Sequence, residues 1–283
     1  MFMKRRLPFH LAMILFAFIA VAVLIFPSAN MVLMSFKPTG GGGWTLANYR
    51  EILTGSMYTA AIKNSVGISL FSSVVAIIFT TVTTYAIVSR SKKLRETFVV
   101  IANMTSNFAG IPLAFAYIIL LGSSGVLLIF GRHAGIDWLA NYNLYSSLGL
   151  CIVYLYFQLP MGIILLLPIY DALEKGWRES AELLGANSFQ YWRRIGLPVL
   201  MPSIVGVFAM MFANAMGAYA SAEALTGTGV NLLSIRIANT VTGDIFARPE
   251  IGAALSVLLA MILLVNMILG DKLAKRAEKV SKG

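Results

Sequence analysis

Long charge-free runs, separated by short clusters of charged residues, set the rhythm of this chain. They extend over Leu7–Phe36, Asn64–Ser89, Thr97–Gly131 and Ser146–Tyr170, then from about Leu197 to Ala222 and from Ile251 to Gly270. An α-helix rises about 1.5 Å per residue, so roughly 20 apolar residues cross a hydrocarbon core about 30 Å thick. Each run is long enough, and none alternates with a period of two as a half-buried strand would. The pattern predicts an all-α membrane protein with six transmembrane helices at about 11–35, 64–89, 97–121, 146–170, 197–222 and 251–270, forming one membrane domain over 1–283. The third run has 35 residues, too many for one ordinary span. A break at Gly122-Ser-Ser-Gly125 is expected to leave a re-entrant or interfacial piece.

Composition agrees with the pattern. The chain is 58% hydrophobic and 12% charged, whereas soluble domains carry about 25% charged residues. Lys4, Arg5 and Arg6 precede the first run as in a signal peptide. That run is far longer than an h-region and lacks a small-residue cleavage site, so it reads as a retained span. The 22 Lys and Arg outnumber the 12 Asp and Glu, yet they form no basic patch interleaved with aromatics, so nucleic acid is not implied. Their placement explains them instead. Sixteen fall on the termini, the Arg90–Glu96 loop and the stretch after Asp171; six fall on the three opposite loops. By the positive-inside rule both termini are cytoplasmic, in keeping with a bacterial inner-membrane protein. Cys151 lies inside an apolar run and reads as a small core residue.

The longest well-charged interruption is Glu179–Pro198, which overlaps the cytoplasmic segment 171–197. Asp171 with Glu174, and Asn187 with Gln190, have the spacing of an N-cap and its N3 acceptor. Lys175–Glu179 and Arg178–Glu182 are four apart, and Gly185 suits the turn between two short helices. The expectation is a capped helix–turn–helix in water between spans four and five.

The spacing of that stretch resembles the signature of permease subunits of binding-protein-dependent type I ABC importers: E-A-A, three residues, G, nine residues, I, any residue, L-P. Here it reads Glu179-Ser180-Ala181, Gly185, Ile195, Leu197 and Pro198, with Ser180 where the family has its second alanine. The resemblance implies the type I permease fold and a coupling helix, Glu179 to Leu184, that seats in a groove of a separate ATP-hydrolysing subunit. It also implies two ATP-binding subunits, a second, non-identical permease and an extracytoplasmic solute-binding protein. The outer segment Glu223–Glu250, the longest apart from Lys37–Lys63 and mixed in apolar and polar residues without a span-length run, is expected to contribute to the contact with that protein. The chain contains no Gly-Lys pair and so no phosphate-cradling loop. No cofactor is therefore expected on this chain; ATP and Mg belong on the partner.

Polar and aromatic residues within or beside spans three to five are candidates for the solute path: Asn103, Ser106, Asn107, Tyr154, Tyr156, Gln158, Asn214, Tyr219 and Glu223. The alternative is that they only hydrogen-bond between helices. The stretch Asn214–Leu233 resembles the polyamine, iron, thiamine or phosphonate branch of the family more than the sugar branch; an importer of sugars or oligosaccharides is the alternative. A membrane enzyme is disfavoured because no G-x-S-x-G occurs and His10 and His133 fall near span ends or in loops. An ion-coupled transporter usually keeps ionisable residues inside the membrane, and the six assigned spans have none. A channel would not account for the signature.

Overall fold

The computed structural model describes residues 13, 15, 16, 18, 19, 21–171, 173, 175–242 and 247–282. Among them the backbone is helical with no strand. In chain order the helices are α1 (Val21–Ser35), α2 (Ala47–Thr54), α3 (Ser56–Val88), α4 (Lys92–Asn107), α5 (Ile111–Leu121), α6 (Val126–His133) and α7 (Asp137–Ala140). They continue with α8 (Ser147–Asp171), α9 (Lys175–Leu183), α10 (Ser188–Gly217), α11 (Tyr219–Thr226), α12 (Leu233–Thr242) and α13 (Pro249–Lys282).

Five stretches are long and apolar enough to cross a membrane: α3, Ile111–His133, α8, α10 and Pro249–Glu278; α1 is a shorter apolar helix. The count of six is thus five by this measure, and much of the expected first span, 11–35, lies outside the described residues. Several boundaries differ for identifiable reasons. The stretch expected as span three, 97–121, is two helices broken at Phe108–Gly110, where Gly110 takes φ +74° and Pro112 opens α5. Pro is favoured in a first helical turn, and glycine tolerates positive φ. Span five begins earlier than expected, because the second helix of the polar stretch runs into it through a π turn at Trp192–Gly196. It then breaks at Ala218 before α11. The basic tail after Gly270 continues α13 to Lys282, with an Asp271–Lys275 pair one turn apart.

By Cα packing the chain forms two compact units, 1–59 with 236–261 and 60–235 with 262–283. In the first, α1 and α2 are tied through Asn48, whose amide donates to the carbonyls of Ser35 at 2.9 Å and Lys37 at 2.8 Å. Tyr49 shares a 2.7 Å hydrogen bond with Ser35. Arg248 grips Glu51 with two bonds of 2.6 and 2.7 Å.

The second unit is built around α8, which packs on α4, α5, α10 and α11. Leu150, Val153, Tyr154 and Phe157 are buried at three- and four-residue intervals, one face of a helix. Around them lie Ile68, Leu113, Ala114, Ala222 and Leu225; toward the C-terminal end of α8 a second cluster joins Ala76, Ile77, Leu166, Tyr170, Leu200 and Met211. At Gly162, α3, α8 and α10 converge: a Cβ there would collide with the side chains of Met211 and Thr80. Glycine is what lets them approach so closely.

Candidate coupling site

The polar stretch folds as a helical hairpin, and its turn is specified locally. Helix α9 ends at Leu183, Gly185 takes φ +81°, the Gly185 N–H donates to Glu182 O at 3.0 Å and the Ala186 N–H to Ala181 O at 2.9 Å. These paired bonds are the Schellman arrangement, which ends a helix on a left-handed residue. Asn187 then caps α10: its side chain accepts from Gln190 N at 2.8 Å, and the Gln190 side chain accepts from Asn187 N at 2.9 Å. The capping box at Asn187 and Gln190 and the Arg178–Glu182 pair, at 3.0 Å, are those the spacing predicts.

Two other expectations need correction. Asp171 is not a helix cap; it closes α8, and its carboxylate is taken by Arg95 of α4 in a two-pronged ion pair. Glu174 lies outside the described residues, as does the Lys175 side chain. Of the small pair Ser180–Ala181, only Ser180 is exposed, whereas Ala181 is 5% exposed and turned into the protein. The residues that stand out are apolar: Leu183 at 89%, Leu184 at 88% and Phe189 at 72% exposed. A Leu-Leu pair beside a turn glycine in a polar stretch was the available signal. Glu179 is also exposed, Ile195 and Pro198 are half-buried, and Leu197 is exposed at the foot of α10.

The root of the hairpin is aromatic. Trp192 meets Tyr85 of α3 edge-on at 4.7 Å between ring centroids, with Tyr191 at 5.7 Å and Tyr170 of α8 at 6.4 Å. Gly196 lies against the Trp192 ring, where a Cβ would come within 2.6 Å. Arg178 donates to Tyr85 OH at 3.1 Å as well as to Glu182. These bonds, that to Glu182 first, hold its guanidinium above the ordinary arginine value. Tyr85, Tyr170, Arg178, Glu179, Glu182 and Trp192 line a cavity of about 490 Å³. Tyr85 is 93 residues from Arg178, too far for sequence spacing to pair them.

The candidate path residues separate into two groups. Asn103 and Asn107 turn their amides onto their own helix, to Val99 O at 2.9 Å and Asn103 O at 2.7 Å. Tyr154 is buried and donates to Ala218 O at 3.2 Å, satisfying a carbonyl at the break after α10. Gln158 is buried between helices, donating to Ser73 Oγ at 3.1 Å and Met211 O at 3.3 Å. Tyr156 stacks edge-on with Phe108 and Tyr117. By contrast Ser106, Asn214 and Tyr219, with Phe157, line one cavity of about 260 Å³ at the two helix breaks, where the Gly110 N–H donates to Ser221 Oγ at 3.0 Å. Glu223 lies one turn beyond Tyr219 on α11; its Oε2 is shielded and has no hydrogen-bond partner among the described residues. Among the described residues no group of three or more His, Cys, Asp or Glu side chains could hold a metal.

The family described as binding-protein-dependent transport system inner membrane component matches residues 72–279. The chain is 25% identical over 281 residues to the spermidine/putrescine transport system permease protein PotB of Haemophilus influenzae, covering 94% of each. It is 26% identical over 259 residues to the probable ABC transporter permease protein y4fN of Sinorhizobium fredii, covering 89% of this chain; it spans 43% of that longer relative. Its fold matches a chain of a bacterial ABC transporter involved in the import of the acidic polysaccharide alginate, with a TM-score of 0.76, 19% identity and 96% of each chain covered. That transporter has also been solved with its alginate pentasaccharide-bound periplasmic protein. The chain thus belongs to the binding-protein-dependent inner membrane components: it is a multi-pass permease subunit of the type I ABC importers, a transport component and not an enzyme.

Proposed function

We propose that this chain forms half of a solute pathway in a bacterial inner membrane and is driven by a separate ATPase through the Glu179–Pro198 hairpin. The observation that supports it best is the hairpin itself: a Schellman turn and a capping box hold Leu183, Leu184 and Phe189 in the open beside Glu179 and Ser180. Exposed leucines at a rigid tip, rimmed by charge, suit a partner groove and cannot lie in lipid with Arg178, Glu179 and Glu182. Glu179, Ser180, Gly185, Ile195, Leu197 and Pro198 then form the docking element, with Ala181 packed behind it. ATP and Mg are bound by two ATP-binding subunits, and a second, non-identical permease completes the path. A solute-binding protein docks outside, in part on Glu223–Glu250, of which Asp244 is outside the described residues. Both termini face the cytoplasm, and the whole of 1–283 works as one permease domain.

The solute we favour is a small polar cation of the polyamine kind. Likeness to PotB supports it, as does Glu223, one turn beyond the cavity-lining Tyr219, whose Oε2 has no hydrogen-bond partner among the described residues. A sugar or oligosaccharide is the second reading, favoured by the uncharged lining of Ser106, Phe157, Asn214 and Tyr219. The docking role is tested by co-expressing the chain with its ATP-binding subunits and purifying the complex. Leu183→Asp with Leu184→Asp should lower ATPase recovery about tenfold or more, since burying an unpaired charge costs more than 1.4 kcal/mol. Membrane abundance should not change. Full ATPase recovery with the double variant would count against the hairpin as the dock.

A further inference from the structure

The hairpin is joined to the long helices by a closed circuit of contacts at its root. One guanidinium, that of Arg178, bonds Glu182 on its own helix and the Tyr85 hydroxyl on α3. The Tyr85 ring meets Trp192 edge-on at the start of α10's π turn, and Gly196 lies close against that indole. Trp192 also meets Tyr170 of α8, and the Tyr170 hydroxyl donates to Thr81 O of α3 at 2.7 Å. Four residues separate Thr81 from Tyr85, one helical turn. Thus α9, α10, α8 and α3 are linked in a ring at one level. The Arg178–Tyr85 bond is directional, so α9 cannot tilt about its turn without breaking it or taking Tyr85 with it.

From this geometry we propose that Arg178, Tyr85 and Trp192 are positioning residues that pass displacement of the hairpin to the inner end of α3, so that α3 and α8 shift as a pair. This rests on the hairpin being the ATPase dock. Further along the same two helices Gln158 of α8 bonds Ser73 of α3 and Met211 O of α10, and Gly162 packs against Thr80 and Met211. Such close packing transmits a shift and does not absorb it. Phe157, next to Gln158, lines the cavity shared by Ser106, Asn214 and Tyr219. Motion at Tyr85 therefore reaches that cavity through contiguous side chains. The edge contact between Tyr85 and Trp192 survives loss of the tyrosine hydroxyl, whereas the link to Arg178 does not.

The test uses the full complex of both permeases and the ATPase subunits in lipid nanodiscs, with MgATP and orthovanadate as the probe. A cysteine at Ala109, which lines the cavity, is labelled with a membrane-impermeant maleimide; the same chain without it gives the background from Cys151. Trapping should change the labelling rate about fivefold or more with the joint intact, and less than about twofold in Tyr85→Phe or Arg178→Gln, a loss within the usual range of coupling between sites. ATPase recovery should be unchanged in both, Trp192→Phe should retain most of the change, and the double variant should be no worse than the worse single one, as for partners in one interaction. Equal switching in the variants, or additive losses, would overturn the joint and leave the dock standing. Failure of the unaltered chain to retain its ATPase would overturn the dock, and the joint with it.

Discussion

Ser180 and Ala181 show how two adjacent small residues acquire different tasks. Residues of α9 that follow each other point about 100° apart, so one faces water and the other is covered; the motif's letters were legible in the sequence, but the direction each faces was not. Ala181 is buried, and its carbonyl receives the Ala186 N–H of the turn. Glu223 poses a sharper question at this scale. Its Oε2 is shielded from water with no hydrogen-bond partner among the described residues, a costly state for a carboxylate unless a cation visits it. In competition uptake, Glu223→Gln should raise the apparent KM for labelled spermidine about tenfold, the worth of one modest charge interaction, with trehalose unaffected. Unchanged spermidine uptake would remove the cationic reading. Trehalose uptake alone, in the unaltered transporter, would favour the sugar reading.

At the scale of elements, local signals were the readable ones. The Asn187–Gln190 box and the turn at Gly185 are fixed by residues within five positions of each other, so the sequence displays them directly. That the chain is built of long apolar helices followed from charge-free length, which lipid enforces, although the limits of several of them did not. The breaks at Phe108–Gly110 and Ala218 were hidden, because each lies in an apolar run and is made tolerable by partners far along the chain: Ser221 for Gly110, and Tyr154 for the carbonyl of Ala218. The same distance hid Arg95–Asp171, where a carboxylate with the right spacing for a cap is claimed by an arginine 76 residues away. The Glu51–Arg248 tie between α2 and the residue before α13 has a defined pH dependence. Hydrogen bonding to Arg248 holds the Glu51 carboxyl below its ordinary 4.5, outweighing partial burial, with direct charge attraction adding to it. A depressed carboxylate contributes stability that is complete above the unfolded value and is lost as pH falls through the folded one. Hydrogen-exchange protection factors of α2 in the intact complex should fall as the pH is lowered through and beyond the ordinary carboxyl value of 4.5, and Glu51→Gln should abolish that dependence. Because both groups are part-exposed the loss should be small, about 1 kcal/mol or less. Protection that fell equally in both chains would assign the effect elsewhere.

For the whole molecule, membrane residence was legible in the long charge-free runs, and the matching family and fold agree with the permease reading; the sidedness and the separate ATPase that we propose rest on where the charges fall and on the lack of a Gly-Lys pair. The central claim is that a rigid hairpin turns ATPase closure into movement of the spans. Gly185 tests it most directly. No atom lies within 4 Å of a Cβ built there, so a larger side chain meets no obstacle. Only the backbone, at φ +81°, objects. A β-branched residue in that left-handed conformation costs about 1–2 kcal/mol and would swing α9 away from its present direction. The spans, held by lipid burial and internally bonded helices, are untouched. Gly185→Val and Ser180→Ala should therefore be compared for membrane abundance, ATPase co-purification and solute uptake. We expect Gly185→Val to reach the membrane at near-normal abundance but lose uptake and ATPase coupling, while Ser180→Ala behaves as the unaltered chain. Normal uptake by Gly185→Val at equal abundance would mean that the hairpin is only a solvated loop.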